Sequence, residues 1–110
     1  MIRVLFSWGG GSVKYKGRRW KAKRAYILSK DNYLDVVALR FWNREEEATI
    51  VHHIYPAEEY PEFRYCDWNL ISVSRRTHRL LENPYTNDLT DLGRTLMKNT
   101  VPGVDWRKKM

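Results

Sequence analysis

The chain has little with which to cross-link itself. Its single cysteine, Cys66, excludes an intrachain disulfide and any zinc site built on cysteine pairs. No apolar run approaches the length of a membrane span, so no membrane partner is expected. Residues 2–6 are apolar but too short and too poorly flanked to read as a signal peptide. A cytoplasmic, reducing setting is compatible with this usage. Apart from the run Gly9-Gly10-Gly11-Ser12, a flexible break, there is no low-complexity segment and no internal repeat. Acidic residues are absent from the first 30 positions, which carry nine Lys or Arg.

The composition is that of a foldable chain. Of 110 residues, 43% are hydrophobic and 14% aromatic, enough for one domain with a modest core. The net charge of +7 is unevenly spread. Residues 31–73 carry three basic and nine acidic groups, and residues 74–110 carry eight basic and four acidic. Two basic ends around an acidic middle suit a polyanion such as nucleic acid. A solvated basic surface has the same composition, and charge alone does not separate the two.

Residues 18–29 read as a basic helix, with Trp20, Ala22, Ile27 and Leu28 on a partial apolar face and Arg18, Lys21 and Arg24 elsewhere. Residues 33–42 are β-rich and apolar. With a turn at 43–46 and a strand at 48–54 they predict a hairpin. An acidic, aromatic loop follows at 56–67, then a short strand at 70–73. Ser74 is a helix cap for 75–82, ended by Asn83-Pro84. A last helix runs from Asp88 or Asp91 to Lys98, with Leu89, Leu92 and Leu96 as its stripe, although Gly93 interrupts it. Three parts result: an N-terminal arm at 1–17, a single domain at 18–98 and a mobile basic tail at 99–110.

The three histidines all fall between positions 52 and 78, in Ile50-Val51-His52-His53-Ile54-Tyr55-Pro56, Asn69-Leu70-Ile71 and Thr77-His78. Histidine is the commonest metal ligand and titrates near neutrality. Their clustering points to a small metal site that contains a general base. Adjacent strand residues face opposite ways, so His52 and His53 should have different roles. For any single one of them, a buried histidine bonded to backbone is the commoner explanation.

This pattern resembles the HNH endonuclease family. There an apolar strand ends in Asp-His or His-His, followed by Ile and a nearby Pro, then Asn-Leu, then His or Asn nine residues after that Asn. Val51-His52-His53-Ile54 with Pro56, and Asn69-Leu70 with His78, match at that spacing. The resemblance implies an α+β fold. Its core is a ββα-metal motif, with a preceding basic helix and β-hairpin and a C-terminal helix. It implies His52 and His78 as ligands of one divalent ion (Mg, Mn, Ni or Zn), His53 as the base that deprotonates water, and Asn69 as the residue tying the loop across the motif. Glu82, four residues after His78, is a supporting candidate or an ordinary surface glutamate. The implied activity is metal-dependent endonuclease cleavage of DNA, with low sequence specificity. Arg75, Arg76 and Arg79 are candidate phosphate contacts, and Arg18, Lys21 and Arg24 candidate backbone grips. Each is also readable as a plain solvated cation. Small family members of this kind resemble bacteriophage or prophage proteins, some of which work with a packaging terminase in the host cytoplasm.

Many HNH nucleases also hold a structural zinc on two cysteine pairs. The matching positions here are Asp35, Ala38, Ser74 and Thr77, so no structural zinc is expected. Aromatic packing by Tyr33, Phe41, Trp42 and Trp68 is expected in its place. Histidine at the first ligand position should favour Mn²⁺, Ni²⁺ or Zn²⁺ somewhat more than an all-carboxylate site would, with Mg²⁺ still open because phosphate supplies oxygens. Two alternatives stay open: a non-catalytic DNA-binding module on the same scaffold, and a ribonuclease or toxin-type nuclease.

Overall fold

A computed structural model of the chain describes residues 17–109. The expected arm, its apolar stretch and the glycine run lie outside them, Gly17 excepted. The element order is α1 (Arg18–Lys30), α2 (Val36–Trp42), β1 (Ile50–His53), β2 (Leu70–Val73), α3 (Arg75–Leu81) and α4 (Asp91–Lys98). Short 3-10 turns fall at Pro61–Phe63, Asp67–Asn69 and Trp106–Lys109.

Two four-residue strands form the centre. β1 and β2 pair antiparallel, with Ile50 opposite Val73 and His53 opposite Leu70. A two-stranded ribbon is marginal alone, and here both of its faces are covered. On one side α1 lays Trp20, Ile27 and Leu28 against Val51 and Leu70. On the other, Val36, Val37, Leu81 and Leu96 from the remaining helices close over Ile54, Ile71 and Val73.

The stretch 33–42 departs from the expected strand. Its β-branched, apolar sequence suits a buried strand or a short buried helix equally, and tertiary context selects the helix. Asn32 and Tyr33 adopt left-handed φ of 55° and 60° and turn the chain after α1. The Asp35 carboxylate then caps α2 by accepting from the Ala38 N–H at 2.8 Å, and Asn43 closes the helix in a left-handed conformation. Upstream of β1, among the described residues, the remaining strand-like pairing is one bridge, Leu34 with Glu47.

From β2 through α4 the elements lie within a residue of expectation. The Ser74 hydroxyl accepts from the Thr77 N–H and caps α3. Thr90 caps α4 by accepting from the Gly93 N–H. Gly93 belongs in α4 because the helix passes directly against the end of α3, where an added Cβ would lie 2.1 Å from the Leu81 carbonyl oxygen.

Two further expectations are corrected. Tyr33, Phe41 and Trp42 are exposed rather than packed in place of a zinc ribbon, although Trp68 does pack edge-on against Tyr55 and Phe63. What joins the four zinc-ribbon positions is a polar knot. Asp35 is 0% exposed, and its second oxygen accepts from the Ser74 N–H at 2.8 Å. The Ser74 hydroxyl also meets Thr77 Oγ1 at 3.2 Å and donates to Glu46 Oε1 at 2.8 Å. Hydrogen bonds thus tie together the segments that two cysteine pairs would have tied through an ion.

Nor is the C-terminal stretch a loose tail. The Arg107 guanidinium donates from Nε to Asp31 Oδ1 at 2.6 Å and from Nη2 to the Leu70 carbonyl at 2.7 Å. The same Asp31 carboxylate accepts from the Ser72 N–H at 3.1 Å, so the end of the chain is bound to the end of α1 and to β2.

Candidate metal centre

His52, His78 and Glu82 are brought together by the turn from β2 into α3. The alternation along β1 sends His52 toward α3, where it is 1% exposed. His78 lies in α3, and Glu82 ends it four residues later, one helical turn along on the same face. Each of the three offers a ligand atom within 4.8 Å of the other two. Glu82 Oε2 lies 3.8 Å from His52 Nδ1 and 3.6 Å from His78 Nε2, and the two imidazoles meet edge to face at 5.5 Å.

The buried member is under-satisfied. Neither ring nitrogen of His52 has a hydrogen-bond partner among the described residues. Leaving a buried polar group unpaired costs about 1–3 kcal/mol. Burial holds the imidazole neutral, pulling its pKa down to about 3, and the neighbouring His78 and His53 act in the same direction. A neutral imidazole with an unused lone pair, beside a second imidazole and a carboxylate, fits a divalent cation. Three protein ligands, rather than four, would leave coordination positions open on such an ion.

His53 points to the α1 side of the strand. Its ring stacks on the Trp20 indole, with centroids 5.1 Å apart and planes 19° from parallel. Its Nε2 lies 3.2 Å from the Arg64 carbonyl. A carbonyl only accepts, so Nε2 carries the proton and Nδ1 keeps the lone pair. Burial lowers the His53 pKa to about 4, which the Arg64 carbonyl contact and the Glu82 charge oppose and the Arg64 charge reinforces. His52, His53, His78 and Glu82 all line one open pocket of about 310 Å³, bordered also by Trp20, Pro56, Glu58 and Asn87.

Asn69 does not line that pocket; it is 0% exposed beneath it. Its Oδ1 accepts from the Tyr55 N–H at 2.7 Å, and its Nδ2 donates to the carbonyls of Tyr55 and Phe63, each at 3.1 Å. Asn69 therefore fixes the residue two beyond His53 and the residue just before Arg64. It bonds the backbone on both sides of the His53 contact without itself lining the pocket.

The six candidate cations stand apart from the pocket, none of them among its lining. Arg76 is held by Glu46, which lowers the Glu46 pKa. Arg24 donates to the Thr49 carbonyl at 2.6 Å. Arg18 and Lys21 are exposed on α1, and Arg75 and Arg79 on α3. Two pocket residues carried too little signal in the sequence: Glu82 had only its spacing from His78, and Trp20 read as ordinary core.

A strand pair with a crossing helix, two imidazoles and a carboxylate around an open pocket, and a third imidazole beside them define a ββα-metal type of site. No protein-family model matches the chain, and a search of the curated proteins finds no match. Among solved structures, the HNH endonuclease of the deep-sea thermophilic bacteriophage GVE2, determined with a manganese ion, is similar to it. The two share 33% sequence identity over 61% of this chain and 72% of the phage protein, with a TM-score of 0.59. The chain belongs to the HNH endonuclease family.

Proposed function

We propose that the protein is a metal-dependent endonuclease that hydrolyses phosphodiester bonds in DNA. The observation that carries this reading is the convergence of His52, His78 and Glu82 around an unsatisfied buried imidazole, with His53 opening into the same pocket. Manganese in the related phage enzyme supports a divalent ion at this place.

His52, His78 and Glu82 would hold the ion. When bound, it supplies Lewis-acid neutralisation of charge on the phosphate and the leaving oxygen. His53 Nδ1 takes the proton of the attacking water, a role worth roughly 10²–10⁴-fold in rate. The Arg64 carbonyl keeps the proton on Nε2 and favours the imidazolium that forms. Asn69 holds the loop that carries this carbonyl. Arg18, Lys21, Arg75 and Arg79, exposed outside the pocket, would contact phosphates flanking the scissile one. Such contacts read backbone and give low sequence specificity. Work beside a packaging terminase, a partner that the family resemblance implies, belongs to this same proposal.

The test is nicking of supercoiled plasmid by the wild type and His53→Ala, with Mg²⁺, Mn²⁺, Ni²⁺, Zn²⁺ or EDTA, and structured RNA in parallel. Metal-dependent conversion to open-circle or linear DNA, absent in His53→Ala, is expected. Binding without cleavage under every metal would turn the reading toward a non-catalytic module, and cleavage of RNA alone toward a ribonuclease.

A further inference from the structure

We infer that Trp20, on the first turn of α1, is the positioning residue that holds His53 in its working orientation. This rests on the reading of His53 as the base. An imidazole on a strand end has two rotations to lose before one nitrogen aims reliably at water. The Arg64 carbonyl, 3.2 Å from Nε2, fixes rotation within the ring plane. That hydrogen bond does not by itself set the tilt of the ring about the contact. The indole of Trp20, 5.1 Å away and 19° from parallel, removes the tilt. The plate is itself braced: Tyr65 packs on Trp20 at 6.4 Å and 55°, and the Arg19 guanidinium sits 3.8 Å above the Tyr65 ring. Arg19, Tyr65, Trp20 and His53 form a chain of contacts from the exposed side of α1 to the pocket, stacked between Trp20 and His53 and tilted between Trp20 and Tyr65. Trp20 is 9% exposed and lines the pocket, so it meets both the core and the base.

The basic helix therefore contributes to the site as well as to the charged surface. Losing the plate should act on the rate of the chemical step and not on substrate or metal binding, because Trp20 is not among the ligand residues.

The experiment compares wild type, Trp20→Phe and Trp20→Leu by single-turnover plasmid nicking with Mn²⁺, by KM, and by Mn²⁺ calorimetry. Misplacement of a reacting group by about 1 Å costs on the order of 100-fold, and a loss of this size is expected for Trp20→Leu. KM and Mn²⁺ affinity should stay within about threefold, the signature of an interaction used only in the transition state. Trp20→Phe, which keeps a flat ring, should restore most of the rate. Equal rates in all three proteins, or a loss confined to KM or metal binding, would overturn the inference.

A second readout needs neither a folded Leu variant nor activity. In wild-type protein the His53 ring protons should be shifted upfield by the indole, and its Nε2–H should exchange slowly. Unshifted ring protons would overturn the inference. If the wild type cuts no nucleic acid with any metal, the functional reading fails separately and the stack is judged on these spectra.

Discussion

Helix α3 carries a polar cluster at each end, and the two are built on opposite principles. At its N-terminus, Asp35, Ser74 and Thr77 are closed: both Asp35 oxygens accept backbone N–H groups, and the Ser74 hydroxyl both accepts and donates. At its C-terminus, His52, His78 and Glu82 are open: the two buried nitrogens of His52 have no hydrogen-bond partner among the described residues, and a pocket of about 310 Å³ leads to them. A saturated cluster has no capacity for a ligand and stabilises the fold. An unsaturated one costs stability until something binds. The closed cluster falls at the positions that the family resemblance matches to a zinc ribbon, and there hydrogen bonds tie the scaffold.

The comparison is broken most strongly through His53. His53→Ala should reduce cleavage by about 10²–10⁴-fold or more while Mn²⁺ affinity and thermal stability hold, as nicking assays and calorimetry would show. Asp35→Ala should do the reverse. It leaves the Ala38 and Ser74 N–H groups buried without their acceptor, at a cost of about 3 kcal/mol by denaturant unfolding. Residual folded protein should bind Mn²⁺ normally. Glu82→Gln should lower Mn²⁺ affinity by roughly 10–100-fold, with little change in the stability of metal-free protein. Ser74→Ala should have the smallest of these effects, about 1 kcal/mol from the lost helix cap.

The open cluster also carries a pH signature. His52 and His53 have folded pKa values of about 3 and about 4, below the ordinary 6.5. As pH falls below 6.5 the unfolded chain binds protons that the folded chain refuses. Metal-free protein should therefore be most stable above that value and lose stability down to about pH 4, with a slope approaching about two protons. Urea unfolding at several pH values in EDTA checks the sign; stability that rises on acidification would contradict it.

How far the sequence was legible follows from how local each signal is. The strand 70–73, the Ser74 cap and the final helix are set by neighbouring residues and could be read directly. The histidine spacing could be read because a metal motif fixes intervals in sequence as well as in space. The segment 33–42 could not, because Val36-Val37-Ala38 suits a buried strand as well as a helix; the Asp35 cap on Ala38 is local, but the bond from Ser74 that fixes Asp35 spans 39 residues. The tail misled for the same reason: Arg107 looks like one more solvated cation until the fold brings Asp31 to it. Glu82 had one helical turn of local signal, and the distance from His52 that makes it a ligand candidate is tertiary. Trp20 had none, since its partner His53 lies on another element.

The most direct measurement is the anomalous difference map of crystals grown with Mn²⁺. The account predicts one strong peak contacting His52, His78 and Glu82, and no peak beside Asp35 and Ser74. A map with no peak among those three side chains, or with the ion at the closed cluster instead, would contradict it.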